Sequence, residues 1–287
     1  MLVIKGKTFA EIYKKVLYEI YYNPEYICKP RGQKIKEITN VIIELEDPTS
    51  NMFINSIRST PEEYLAAELY WYFNGTNTID FISKYSKFWK KLVNPDNSTV
   101  NSNYGHLLFK ELNEYGFSEW LWSYTSLLID IDSRQAILHF NKPKHLFVGN
   151  KDQVCTLNGI FLIRDNKLNF TIIMRSQDEI LGRTFDLPFF TILQQQMLSH
   201  LKYFYPDLTL GKFIYHTVSS HLYERNFELV EAMLDNDFIE NKLPNLELDL
   251  INSFGEFQYE NFVFNKKDKL ISWIKERLNH KFDIGDL

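Results

Sequence analysis

The sequence holds two cysteines, Cys28 and Cys155, and the second stands where a thiol can react. It follows a charged stretch and opens the run VCTLNGIFLIRD, which places it at the start of a predicted strand. A lone cysteine is by default a small buried hydrophobe. The sharper reading is a nucleophile, and three arginines give it a physical basis. Arg31, Arg134 and Arg175 fall at predicted loop or strand-end positions where side chains can converge. Guanidinium groups beside a thiol lower its pKa and expose thiolate at neutral pH. The same groups suit a phosphate dianion.

Three further constellations accompany the thiol. In MRSQD, residues 174–178, a fork donor, a hydroxyl and a carboxylate follow a strand. Arg175 and Ser176 can hold a phosphate and Asp178 can accept from an amine; the plainer reading is a turn capped by Asp and Ser. In SHLY, His221 and Tyr223 are two apart and face one side of a strand. Such a pair can bond a sugar hydroxyl, although a half-buried His and a core Tyr are commoner. Glu68 lies in the apolar helix stretch AAELYWYF. A carboxylate there must be paired, hydrated or functional, and its functional reading is a proton relay with a raised pKa.

Elements must position these groups. The spacing predicts a helix over 8–22, with Thr8 as cap and Glu11 three residues on. A positively charged loop, ICKPRGQK, leads to a strand in EITNVIIELED. Pro61 starts a helix that stops at Asn74-Gly75, and a second helix is predicted over 78–92. RQAILHF reads as a strand, and two strands flank the hairpin signal Asp165-Asn166-Lys167. LPFFTILQQQMLSHLKYF predicts an amphipathic helix with Pro188 in its first turn. The strand GKFIYHTVSSHLY and the helix YERNFELVEAMLDN follow. Strands and helices mix without strict alternation, so α+β is expected.

Composition narrows the class. At 45% hydrophobic and 24% charged residues, a disordered, collagen-like or coiled-coil chain is excluded. A chain of 287 residues without linker or repeat reads as one domain over 1–287. Two cysteines exclude a disulfide framework and a cysteine-built zinc site, and no metal is expected. With 32 basic and 37 acidic residues the net charge is −5 and there is no basic block, so polymeric nucleic acid is not an expected partner. Aromatic residues make up 16%; an AT-biased genome explains this more simply than a platform for stacking bases. Apolar runs such as Leu127-Leu128 and Ile172–Met174 are too short to span a bilayer. The start, MLVIKGKTF, runs apolar then lysine-bearing, the reverse of a secretory signal. A reducing cytoplasm is the expected compartment, with no membrane partner.

Taken in chain order, PRG near residue 30, ELYWYFNGTN, NSNYG, DSRQAILHF, CTLNGIFLIRD, MRSQDEILGRTFD and SHLYERN resemble the thymidylate synthase and deoxycytidylate hydroxymethylase superfamily. The ordered set covers most of the chain and is specific. The resemblance implies an α+β fold with a large mixed sheet, covered by helices and packed against its mate in a homodimer. It implies that Cys155 adds to C6 of a pyrimidine nucleotide. Arg31, Arg134, Arg175 and Ser176 resemble the phosphate clamp, with Arg134 reaching from the other subunit. His221 and Tyr223 resemble the contacts to the deoxyribose hydroxyl. Glu68 and Tyr104 resemble the acid/base and water-ordering groups, and Trp89, Asp178 and Gly182 the folate-side residues. The implied co-substrate is 5,10-methylenetetrahydrofolate.

Within the resemblance, position 186 selects the base. Thymidylate synthases carry Asn in the LGxPFN segment; here the segment is LGRTFD, with Asp186. An amide satisfies the O4 acceptor and N3–H donor of uracil, whereas a carboxylate only accepts. It suits the N4 amino group of cytosine and an N3 that gains a proton. The plain alternative is that Asp186 caps the helix near Pro188. Thr156 after the cysteine, the NSNYG segment, Leu92 in place of a second tryptophan and the terminal HKFDIGDL also lean to the hydroxymethylase branch. A looser closure would admit the water that hydroxymethylation needs. Gln135 in place of a second arginine after Arg134 leans away from a full phosphate clamp. The expected activity is deoxycytidylate hydroxymethylation. Rivals are thymidylate synthesis or cytidylate methylation, hydroxymethylation of CMP or dUMP, and an inactive paralogue that binds nucleotide or RNA.

Overall fold

A computed structural model describes residues 1–246 and 269–278. In chain order its elements are β1 (Leu2–Gly6), α1 (Phe9–Tyr22), β2 (Tyr26–Cys28), β3 (Ile35–Leu45), β4 (Met52–Ile54) and α2 (Glu62–Asn74), followed by α3 (Glu119–Ile129) and β5 (Ile137–His139). Then come β6 (Thr156–Arg164), β7 (Lys167–Met174), β8 (Gln177–Asp178), α4 (Arg183–Leu201), β9 (Thr209–Tyr223), α5 (Phe227–Leu234), β10 (Ile239–Asn241) and α6 (Lys269–Leu278). The terminal HKFDIGDL lies outside the described residues. Two compact units emerge: Met1–Thr60 with Cys155–Leu198 and Asp207–Leu243, and Pro61–Val154 with Ser199–Pro206 and the described residues from Pro244 onward.

The first unit is built on a mixed sheet, in which the strand path runs β1-β3-β9-β7-β6. β1 pairs with β3 in parallel, β3 with β9 antiparallel, β9 with β7 in parallel and β7 with β6 antiparallel. β2 adds to β3, and the short β8 runs parallel to the end of β9. The β6–β7 hairpin turns through Asp165 (φ 51°) and Asn166 (φ 54°), the left-handed pair of a type I′ turn, which matches the twist of its strands. Helix α1 begins as its sequence predicts: Thr8 accepts from the Glu11 amide at 3.2 Å and Glu11 accepts from the Lys7 amide at 3.3 Å. Its apolar face, including Ile12, Val16, Leu17 and Ile20, is buried.

Helix α4 departs from its prediction in two ways. It starts at Arg183, so Pro188 lies in its second turn rather than its first. It is also buried nearly all round instead of amphipathic. Some of its polar groups find partners inside: Gln194 Nε2 donates to the Leu168 carbonyl at 2.8 Å, and Thr191 to the Pro188 carbonyl at 2.9 Å. A helix can be buried on every side when its polar groups are bonded internally.

In the second unit, α2 ends where expected, with Gly75 at φ 71° forming a left-handed cap. The helix predicted over 78–92 does not form; two short 3-10 turns, Ile82–Lys84 and Trp89–Lys91, stand there instead. The backbone is committed elsewhere: Thr78 bridges Thr99, the Ile79 amide donates to Ser98, and the Thr78 carbonyl accepts from Trp71 Nε1 at 2.9 Å. The strand predicted in RQAILHF shrinks to β5. Among the described residues, no helix is long and apolar enough to cross a membrane.

Candidate active site

In the first unit, the ends of β7, β8 and β9 and the start of β6 gather most of the residues singled out above. Cys155 immediately precedes β6 and is half-buried. Its carbonyl accepts from the Arg175 amide at 2.9 Å, which ties the thiol to the end of β7. The Arg175 guanidinium donates to Sγ at 3.4 Å, so a positive charge touches the sulfur. Ser176 follows, half-buried.

Asp186 lies in the first turn of α4, its amide bonded to the Gly182 carbonyl at 2.9 Å. Its Oδ2 accepts from Gln177 Nε2 at 2.9 Å, and Gln177 Oε1 accepts from the Tyr215 hydroxyl at 2.7 Å. Desolvation pushes the Asp186 carboxyl up to about 6; the Gln177 bond and the Arg183 charge pull it down, and Glu179 pushes it up. Burial, with the Asp186 charge second, holds the Tyr215 hydroxyl well above the ordinary phenol range. Gly182 has a local reason for being glycine. A Cβ there would stand 2.2 Å from Gln177 Nε2 and 2.9 Å from the Asp178 carbonyl.

Next to this chain lies a buried ion pair. Arg183 donates through Nε and Nη2 to Glu179 at 2.5 and 2.8 Å, and Nη2 also reaches Thr217 at 3.1 Å. Ser220 donates to the same carboxylate, and the Glu179 carbonyl accepts from Tyr13 at 2.7 Å. The Arg183 guanidinium sits 4.5 Å from the Tyr215 ring centroid.

At the end of β9, His221 is the register partner of Asp178. Asp178 Oδ1 accepts from the Ile180 and Leu181 amides at 2.9 and 3.1 Å, while desolvation raises its carboxyl pKa against these bonds. The rings of His221 and Tyr223 meet edge to face at 5.0 Å. Arg225 covers Tyr223 at 4.0 Å and lies 3.6 Å from Asp178 Oδ2. Arg31, at φ 52° in the turn before β3, is exposed, and so is Arg134 in the second unit.

The second unit holds its own chain of groups. Trp89 Nε1 donates to the Tyr64 hydroxyl at 3.0 Å, and Tyr64 donates to the buried Glu68 carboxylate at 2.9 Å. Glu68 and Tyr64 are one helical turn apart on α2, so the spacing that gives the helix also gives the bond. Tyr104 is buried, stacked on Tyr72 at 5.2 Å and edge-on to Phe140 at 5.3 Å.

Sequence reasoning passed over several of these partners. Gln177 stood inside the quoted MRSQD but was overshadowed by its charged neighbours. Tyr64 and the Glu179–Arg183 pair carry the i, i+4 signal and were readable. Tyr215 and Arg225 have no local signal; only strand pairing brings them in.

The thymidylate synthase family model matches residues 11–270. The deoxycytidylate 5-hydroxymethyltransferase of Enterobacteria phage T6 is 27% identical over 214 residues, covering 72% of this chain and 83% of that one. The deoxyuridylate hydroxymethyltransferase of Bacillus phage SP01 is 25% identical over 291 residues, covering 91% and 74%. Thermostable thymidylate synthase A of Bacillus subtilis superposes with a TM-score of 0.66 at 17% identity, covering 82% of this chain and 86% of that one, which carries the fold. With a mixed sheet of this kind and a family match over most of its length, the chain belongs to the thymidylate synthase family.

Proposed function

We propose that this one-carbon transferase is a deoxycytidylate 5-hydroxymethyltransferase, a single catalytic domain over 1–287 working as a homodimer on dCMP and 5,10-methylenetetrahydrofolate. The observation that carries the reading is Asp186, a carboxylate where the family's thymidylate makers carry an amide. One of its oxygens accepts from Gln177, and its pKa near 6 leaves it mostly ionised at neutral pH. An ionised carboxylate accepts from the cytosine amino group and repels the uracil O4. A mismatched base leaves polar groups unpaired at about 1–3 kcal/mol each, enough to discriminate.

In this reading the Cys155 thiolate, touched by Arg175, adds to C6 and makes C5 nucleophilic. C5 takes the methylene unit from the folate, and the C5 proton is lost to a base. Tetrahydrofolate departs, leaving an exocyclic methylene. Water adds its oxygen to that carbon, and the Cys155–C6 bond breaks to give 5-hydroxymethyl-dCMP. Arg31, Arg175, Ser176 and the other subunit's Arg134 hold the phosphate, which fixes the base over the sulfur. His221 and Tyr223 take the sugar hydroxyl. Glu68 and Tyr104 manage protons and water, and Trp89, Asp178 and Gly182 face the folate. The phage relatives favour a viral setting, with work done in the host cytoplasm.

A second reading, hydroxymethylation of dUMP, is favoured by the match to the Bacillus phage SP01 protein along 91% of this chain. Incubation with methylenetetrahydrofolate and either dCMP or dUMP separates the two. The expected product is dCMP plus 30 mass units (one CH2O), without absorbance growth from dihydrofolate; preferential turnover of dUMP sinks the base assignment. Dihydrofolate formation would instead mark a methylating enzyme. Cys155→Ser should lower turnover by at least about 10³-fold; undiminished activity would remove the covalent step.

A further inference from the structure

We propose that Gln177 and Tyr215 form a positioning relay which sets the hydrogen-bonding face that Asp186 shows to the base, making Gln177 a specificity-determining residue. The inference rests on the reading of Asp186 as the base-contacting group.

A carboxamide has two ends of similar shape and opposite polarity, so something must choose which end faces a carboxylate. Here Tyr215 chooses. Its hydroxyl donates to Gln177 Oε1 at 2.7 Å, which turns Nε2 toward Asp186 Oδ2 at 2.9 Å. Burial keeps the Tyr215 hydroxyl protonated, so it remains a donor. Its ring is pinned by the Arg183 guanidinium at 4.5 Å, and Arg183 is fixed in turn by Glu179 and Thr217. The bare Gly182 makes the room for the Gln177 amide, because a Cβ there would overlap Nε2. Nε2 has a second, longer partner in the Asp178 carbonyl at 3.4 Å. The amide is therefore bonded at both ends and is not itself available to read a base.

Two consequences follow for Asp186. Oδ2 is engaged, so Oδ1 is the oxygen left to meet a ligand. A donor on Oδ2 also favours the ionised carboxylate, the state that accepts from an amino group. Without Gln177, the protonated acid is populated at higher pH, and an acid O–H bonds a carbonyl such as uracil O4. The charged and titratable groups around Asp186 are Arg183 on its own helix, Glu179 in the segment before α4, and Tyr215 on β9, which Cys155 faces in turn. Gln177 is the neutral donor bonded to the carboxylate itself.

The test uses the full-length protein with Gln177→Met and Tyr215→Phe, and two readouts. The first is titration of the Asp186 carboxyl by 13C NMR in the unliganded protein, assigned with Asp186→Asn. The wild-type midpoint is expected near 6, and in Gln177→Met about one pH unit higher. The second is the ratio of kcat/KM for dCMP over dUMP, expected to fall about tenfold in Gln177→Met and by a smaller factor in Tyr215→Phe. An unmoved midpoint overturns the relay whichever base the enzyme prefers. Equal losses on both nucleotides with an unchanged ratio also overturn it, since that is what a packing defect gives. A wild-type enzyme that prefers dUMP removes the base reading, and the NMR midpoint still decides the relay. Should Gln177→Met not fold, Tyr215→Phe carries both measurements.

Discussion

The two units solve the problem of burying polar groups differently. In the sheet unit, charges are held in hydrogen-bonded networks: the buried Glu179 with Arg183, Ser220 and Tyr13, and the half-buried Asp186 with Gln177 and Tyr215. In the other unit, aromatic side chains dominate, and the buried Glu68 is reached by Tyr64, which Trp89 backs. The lesson concerns cost. A network of buried charges fixes one geometry and makes each member hard to remove, whereas a neutral hydroxyl bonded to an acid among aromatic rings tolerates trimming better.

The largest expected effect attacks the network. Glu179→Ala leaves Arg183 charged and buried without its partner, which should cost about 3–5 kcal/mol in urea unfolding. A loss no greater than that of an ordinary surface substitution would erase the contrast between the units. Next come two opposed pH effects. Desolvation raises Asp186 from 3.8 to about 6, so the folded state binds that proton more tightly. This contribution is fully present below about pH 4 and is lost as pH rises through 6, leaving a penalty of about 3 kcal/mol at pH 7. Asp186→Asn should therefore stabilise the protein at pH 7 and not at pH 4. Desolvation depresses His200 from 6.5 to about 4, so stability falls as pH drops from 6.5 toward 4, again by about 3 kcal/mol. His200→Gln should remove that fall. Equilibrium unfolding of both variants at pH 4 and pH 7 measures the two slopes, and parallel curves would refute the assignment of either group. The smallest effect is in the aromatic cradle: Tyr64→Phe should cost about 1 kcal/mol, read from the same curves, with a larger loss in turnover if Glu68 handles protons.

Much of the fold was legible in the chain because local signals agreed with tertiary ones. Thr8, Glu11 and the apolar stripe of α1 point to one helix, and Asp165-Asn166 to one hairpin. Residues 78–92 failed because backbone bridging to Ser98 and Thr99 outweighs a helical pattern. The polar runs of α4 were misread as a solvent face because partners such as the Leu168 carbonyl lie far along the chain. At the site, Cys155 and Arg175 were readable from type and are joined by the hairpin. Gln177 and Tyr215 were not readable, since 38 residues separate them and only the β8–β9 and β7–β9 pairing brings them within reach.

The Glu179–Arg183 pair constrains how this sequence can drift. Losing either partner strands the other in a dry interior, so a single change at either position should be strongly destabilising. Exchanging both together for apolar residues of similar volume removes two desolvation penalties at once and is often harmless. Positions 179 and 183 should therefore look immutable in a library of single variants, yet permissive in a library that varies them jointly.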